Sequence, residues 1–185
     1  MGILRAYIGI DPGQTGAVAV IVVDTASGAA RAPELHDTPT FKGDGKTLYD
    51  EAGMARILAD VARVYGGHVF ATIEKVGAMP KQGVASSFNF GMGYGIWLGI
   101  IAALGIQSQR VTPQRWKKSA LQDGPKVDQA VVAVAARLYP AVAAMLRGPR
   151  GALLMGRADA LLIAQHGVTT YGANAPQVGG LQAPG

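Results

Sequence analysis

Three acidic side chains stand where a chain that only had a core to build would place none. Asp11 closes the apolar run "AYIGID" (residues 6–11), Glu74 closes "HVFATIE" (68–74), and Asp159 lies inside "RADALLIA" (157–164). An acid in apolar surroundings is costly unless it is paired or bound to a cation. Three carboxylates brought together repel one another unless a hard dication sits among them. Mg²⁺ takes oxygen ligands and keeps water positions open. Two such ions about 4 Å apart can activate a water and stabilise the leaving oxygen in phosphodiester hydrolysis. Taken singly, each acid has a plainer reading. Asp11 could close an Asx turn, Glu74 could pair with Lys75 or Arg110, and Asp159 could complement a helix N-terminus.

The elements that must position these acids can be read from the apolar pattern. Residues 3–10 and 17–23 are rich in Ile, Val and Ala and read as two strands of a hairpin, joined by a turn with Pro12, Gly13 and Gly16. A weaker third strand is expected near 31–37, and the polar stretch 38–49 reads as a loop. "DEAGMARILADVARVYGG" reads as a helix capped by Asp50 and stopped by Gly66 and Gly67, with Met54, Ile57, Leu58, Val61 and Tyr65 on one face. Strands follow at 68–75 and 106–112, then a short basic helix "QRWKKSAL" and an amphipathic helix over 126–140. A last helix is expected at 157–167. The sum is a mixed α/β sheet covered by helices.

Residues 84–106 carry no charge. The length suits a bilayer span, but five glycines and the polar Ser86, Ser87 and Asn89 favour a buried helix. Gly91, Gly95 and Gly99 recur every four residues and make one smooth face. Each costs about 1 kcal/mol of helix propensity relative to alanine, so a packing partner is expected there: the sheet, or a second copy of the chain with Phe88 beside the glycines. A two-fold dimer of this kind would put two acid clusters on one face.

Charge is divided unevenly. Of 17 Lys and Arg and 12 Asp and Glu in 185 residues, residues 1–74 hold a net −3 and residues 75–157 a net +9. A basic half beside an acid cluster points to a polyanionic partner. Lys75, Lys81, Arg110, Arg115, Lys117, Lys118 and Lys126 surround the acids in sequence, and phosphate contacts from such residues weaken steeply with salt. Trp116 reads as a packing anchor or a base-stacking platform. There is no cysteine, hence no thiolate chemistry and a reducing, cytoplasmic compartment as the expectation. The opening "MGILRAYIGIDPG" is too soon interrupted for a signal peptide. His36 and His68 show no ligand spacing. His166 lies seven residues past Asp159, about 10 Å along a helix, too far to share an ion.

Five segments in order, "IGIDPGQTGAVAV", "TIEKVGAMPKQG", "FGMGYGIWLGIIAALGI", "VTPQRWKK" and "GRADALLIA", resemble the RuvC family of Holliday junction resolvases, especially its bacteriophage branch. The resemblance runs from about residue 5 to 167. It implies an RNase H-like fold with a mixed five-stranded sheet flanked by helices, occupying residues 1–167. The uncharged stretch 168–185 is then a flexible tail. It also implies a homodimer, Mg²⁺ (or Mn²⁺ in its place), and paired nicks in a four-way DNA junction. Asp11, Glu74 and Asp159 match the family's catalytic, metal-binding acids. Lys75, Met79, Lys81, Arg115, Lys117, Lys118 and Lys126 become DNA-contact candidates, with Met79 as the apolar wedge because Gly77 has no side chain. Phe88, Gly91, Gly95 and Gly99 become dimer-face candidates. One departure stands out. A fourth metal-site residue, Asp or His, usually lies three positions before the last aspartate, and here that position is Gly156. This puts a second ion in doubt, raises a junction binder without cleavage as the alternative, and leaves Asp128 as an unsupported substitute. An actin-like ATPase, which shares the "IGIDPGQTG" hairpin, needs a second large lobe that 185 residues do not supply.

Overall fold

The computed structural model describes residues 2–75, 77, 83–122 and 127–174. Met79, Lys81 and Lys126 lie outside them. Strands β1 (Leu4–Asp11), β2 (Ala17–Asp24) and β3 (Glu34–Asp37) form an antiparallel meander. Next come β4 (Thr40–Gly43) and β5 (Lys46–Tyr49), then α1 (Glu51–Tyr65), β6 (Val69–Glu74) and α2 (Val84–Ala103). The chain continues through β7 (Gln107–Val111), α3 (Pro113–Leu121), α4 (Asp128–Leu138), a 3₁₀ stretch (Pro140–Leu146) and α5 (Met155–Asn174). The main sheet runs β3-β2-β1-β6-β7, with β6 parallel to both β1 and β7.

Side-chain alternation divides the core in two. Ile8, Ile10, Val18, Val20, Ala71 and Ile73 face α1 and α2, while Ala17, Ala19, Ile21 and Leu35 face α3, α4 and α5. Helix α5 is the central element of the second layer. Residues 160 to 164 have no exposed surface, so the run "ALLIA" is apolar all round because it is enclosed all round. Gly9 of β1 makes this possible: a Cβ there would overlap the backbone of Ala160 and Ala164.

Several expectations are corrected. Residues 40–49 are a two-stranded hairpin, not a loop. Its polar side chains hid it, and it is fastened to the β1–β2 turn by the Gln14 side-chain amide donating to the Thr47 carbonyl at 2.7 Å. Helix α5 runs on to Asn174, so the proposed tail does not begin at 168; residues 168–174 are helical. The buried face of α4 is Val131, Val132 and Ala135. Asp50 does cap α1, accepting from the Gly53 amide at 2.9 Å. Among the described residues no helix is long and apolar enough to cross a membrane.

Candidate active site

Strands β1 and β6 are parallel neighbours with Ile10 opposite Ile73. The next residues on each, Asp11 and Glu74, therefore leave the sheet side by side at the same end. Ile10 and Ile73 point toward α1 and α2, so alternation turns both acids to the opposite face, where α5 crosses. Asp159 sits on that helix one residue before Ala160, whose backbone, like that of Ala164, packs against Gly9 of β1. The topology thus brings the three acids to one end of one face.

Their electrostatics record the encounter. Burial, then the charge of Glu74, pushes the Asp11 carboxyl up to about 6, against a weaker lowering from the Gly13 amide and Lys117. Burial, then Asp11, lifts Asp159 to about 7, with Glu74 and Asp128 adding to the rise and Lys117 opposing it. Glu74 is raised by burial and eased by the Trp116 indole and Lys117. Asp159 Oδ1 is buried with no hydrogen-bond partner among the described residues. The Asx reading of Asp11 survives only as a long contact from the Gly13 amide, at 3.4 Å. A shift of one pKa unit corresponds to about 1.4 kcal/mol of preference between protonation states, so burial and mutual repulsion favour the neutral forms of these acids.

The donor chemistry fits a hard dication: three carboxylates, one with an unpartnered buried oxygen. Among the described residues, however, no three His, Asp or Glu side chains already converge closely enough to hold an ion.

Gly156 explains the vacancy at the fourth position. The first turn of α5 is pressed against the β1–β2 turn so closely that a Cβ on Gly156 would overlap the Thr15 carbonyl and Gly16. No side chain of any type fits there without moving the turn. Asp128 lies on the first turn of α4, exposed, and acts on Asp159 only as the weakest of its electrostatic neighbours.

Asp11 opens into a cleft of about 560 Å³ with Gly13, Gln14, Thr15, Tyr49, Ser86, Asn89 and Phe90 on its walls. Tyr49 Oη donates to the carbonyl of Asn89 at 3.2 Å and lies 3.5 Å from that of Pro12. The β4–β5 hairpin and the start of α2 therefore frame the cleft. On the far side of Asp11 a smaller cleft of about 330 Å³ reaches Asp37 and Arg157.

Of the basic candidates, Lys75, Arg110, Arg115 and Lys118 are exposed, while Lys117 is half-buried and its charge reaches all three acids. Arg115 instead acts on His166, a buried histidine whose pKa is lowered first by burial. Trp116 is fully buried, and its Nε1 donates to Glu74 Oε1 at 2.7 Å. The packing-anchor reading of Trp116 holds, and its contact with Glu74 was missed. Forty-two residues separate the pair, and no local signal links them. On α2, Gly93, Trp97 and Ile101 face the core, whereas a Cβ at Gly91, Gly95 or Gly99 would meet nothing within 4 Å. Phe88 is 69% exposed. The smooth glycine face is open, not packed on the sheet.

A mixed five-stranded sheet of this order, with helices on both faces and acids at the ends of its central strands, defines an α/β fold of the RNase H-like class. Comparison with solved structures narrows the likeness. RuvC of T. thermophilus in complex with a Holliday junction substrate shares 17% identity with this chain, with a TM-score of 0.56 over 94% of this chain and 96% of that one. A second structure, Thermus thermophilus RuvC, gives 17% identity and a TM-score of 0.51 over 92% and 97%. No family model and no curated relative matches the chain by sequence. At this identity the likeness establishes a shared fold.

Proposed function

We propose that the protein is a Mg²⁺-dependent endonuclease that resolves four-way DNA junctions, acting as a homodimer in the cytoplasm of a bacterium or a phage-infected host. The observation that carries this reading is the meeting of Asp11, Glu74 and Asp159 at one end of the sheet, each with its carboxyl raised by burial. The fold shared with a protein seen on a Holliday junction substrate supports it, as do the net +9 of residues 75–157 and the five ordered motifs, which also favour the phage branch. A divalent ion bound there, with Mn²⁺ as substitute, would polarise the scissile phosphate and supply a nucleophilic water at neutral pH. The chain's own part is to hold the acids ionised around that ion, to set Lys117 beside them, and to offer Arg115, Lys118 and Lys75 to the phosphates. The open face of α2, with Phe88 and the three glycines, is the surface proposed for the two-fold contact.

A second reading is favoured by one observation. Gly156 closes the place of the fourth ligand, and among the described residues no three acids already form a cage. A junction-binding protein with weak or no cleavage has the same fold and charge. An end-labelled four-way junction incubated with protein and Mg²⁺ or Mn²⁺ separates the two. Paired nicks that vanish in Asp11→Asn, with binding retained, support the nuclease. A retained but uncut junction with either ion supports the second reading.

A further inference from the structure

We infer that Trp116 is a positioning residue for Glu74, an inference that rests on the nuclease reading. Its indole N–H holds one carboxylate oxygen and leaves the other without a donor among the described residues, turned to the work of the acid cluster.

The chain has two tryptophans, both fully buried, and they differ in one respect. Trp97 Nε1 finds no partner among the described residues, whereas Trp116 Nε1 donates to Glu74 Oε1 at 2.7 Å. Glu74 Oε2 takes no hydrogen bond from any described residue. Trp116 belongs to the cluster that includes Leu161 and Leu162 of α5, so its ring cannot swing away without opening the core. A flexible glutamate is thereby fixed by a rigid donor, and part of its rotamer freedom is removed before any ion binds.

The choice of donor matters chemically. A hydrogen bond to an ionised carboxylate is short and strong, and it favours the charged form that burial disfavours. An arginine or lysine in the same place would do so with a full positive charge, which would compete with a cation. The indole brings none. Lys117, the next residue, lies with Nζ 5.1 Å from the Trp116 ring centroid and acts on all three acids. One turn of α3 thus carries both the group that orients Glu74 and the charge that faces the cluster. Partners that orient metal-binding side chains typically change metal affinity or activity by about 10–100-fold when removed.

Trp116→Phe leaves a smaller aromatic ring in the core and deletes the N–H. It should lower junction cleavage about 10-fold or more and raise the Mg²⁺ concentration for half-maximal rate by a similar factor, while junction affinity stays within about two-fold. The second measurement does not depend on activity. In ¹⁵N-labelled protein, Glu74→Gln should move the Trp116 indole resonance and leave that of Trp97 in place, and Mg²⁺ added to the wild type should do the same. Unchanged cleavage and Mg²⁺ dependence in Trp116→Phe, or a Trp116 resonance indifferent to Glu74→Gln, would overturn the inference. If the wild type cuts no junction with either ion, the nuclease reading fails instead, and the resonance test still decides whether Trp116 holds Glu74.

Discussion

Gly156 on α5 lies directly against the carbonyl of Thr15 in the turn between β1 and β2, with no room for a Cβ between them. The contact seats the first turn of the helix that carries Asp159 onto the turn that follows Asp11. Restoring an acid at this position should therefore harm the protein. Gly156→Asp should cost about 1–3 kcal/mol through overpacking, and lower, not raise, any cleavage rate. Thermal unfolding beside a junction assay checks this; a stable variant with faster cleavage would show that the turn yields.

Arg157 supports the same helix end from the other side. It meets Asp37 at two points, Nε to Oδ1 at 2.6 Å and Nη2 to Oδ2 at 2.7 Å, and donates to the Met145 carbonyl at 2.9 Å. The guanidinium holds the Asp37 carboxyl below its ordinary value, so the pair's contribution is present above the usual carboxylate range and lost as pH falls through the lowered pKa. Asp37 is 63% exposed, which keeps the expected loss in Arg157→Ala to about 1 kcal/mol. The gap in Tm between this variant and wild type should close in acid. A gap that persists at low pH would assign the loss to packing.

The acid cluster gives the opposite sign. Asp11 at about 6 and Asp159 at about 7 lie above their ordinary value of 3.8. The folded, metal-free protein then holds protons that the unfolded chain has lost, and stability falls as pH rises from 4 toward 7. Asp159→Asn should remove part of that fall and raise the metal-free Tm at pH 8 by on the order of a few degrees. Added Mg²⁺ should stabilise the wild type at pH 8 and the variant much less. A metal-free Tm at pH 8 that Asp159→Asn fails to raise would mean that Asp159 carries no charge strain.

Gly95→Leu tests the open face of α2. A Cβ there meets no described residue within 4 Å, and loss of a helical glycine should add about 1 kcal/mol of helix stability. If that face joins two copies, the variant should sediment as a well-folded monomer. An unchanged dimer would place the contact elsewhere.

Lys118 is exposed on α3, while its neighbour Lys117 is half-buried facing the acids. Lys118→Glu should weaken junction binding and reduce the slope of log K against log salt by about 1. Lys117→Ala should act mainly on the cleavage step. Equal salt slopes for wild type and Lys118→Glu would remove Lys118 from the phosphate contacts.

The sequence alone determined the strands that carry Asp11 and Glu74, because a run of apolar residues ending in an acid is written locally, residue by residue. It also showed the glycine row on α2 and the charge division between the halves. It did not reveal the β4–β5 hairpin, whose four-residue strands are polar and lack alternation, nor the last turns of α5, where uncharged residues read equally well as tail. Only the tertiary structure decided the rest. Whether Gly91, Gly95 and Gly99 face the sheet or the solvent depends on how α2 is rotated, and Trp97 and Ile101 set that rotation by being buried. The bond from Trp116 to Glu74 and the contact of Gly156 with Thr15 join positions far apart in the chain. Such pairs are chosen by strand order and helix packing, which depend on the whole core and leave no mark in the residues nearby.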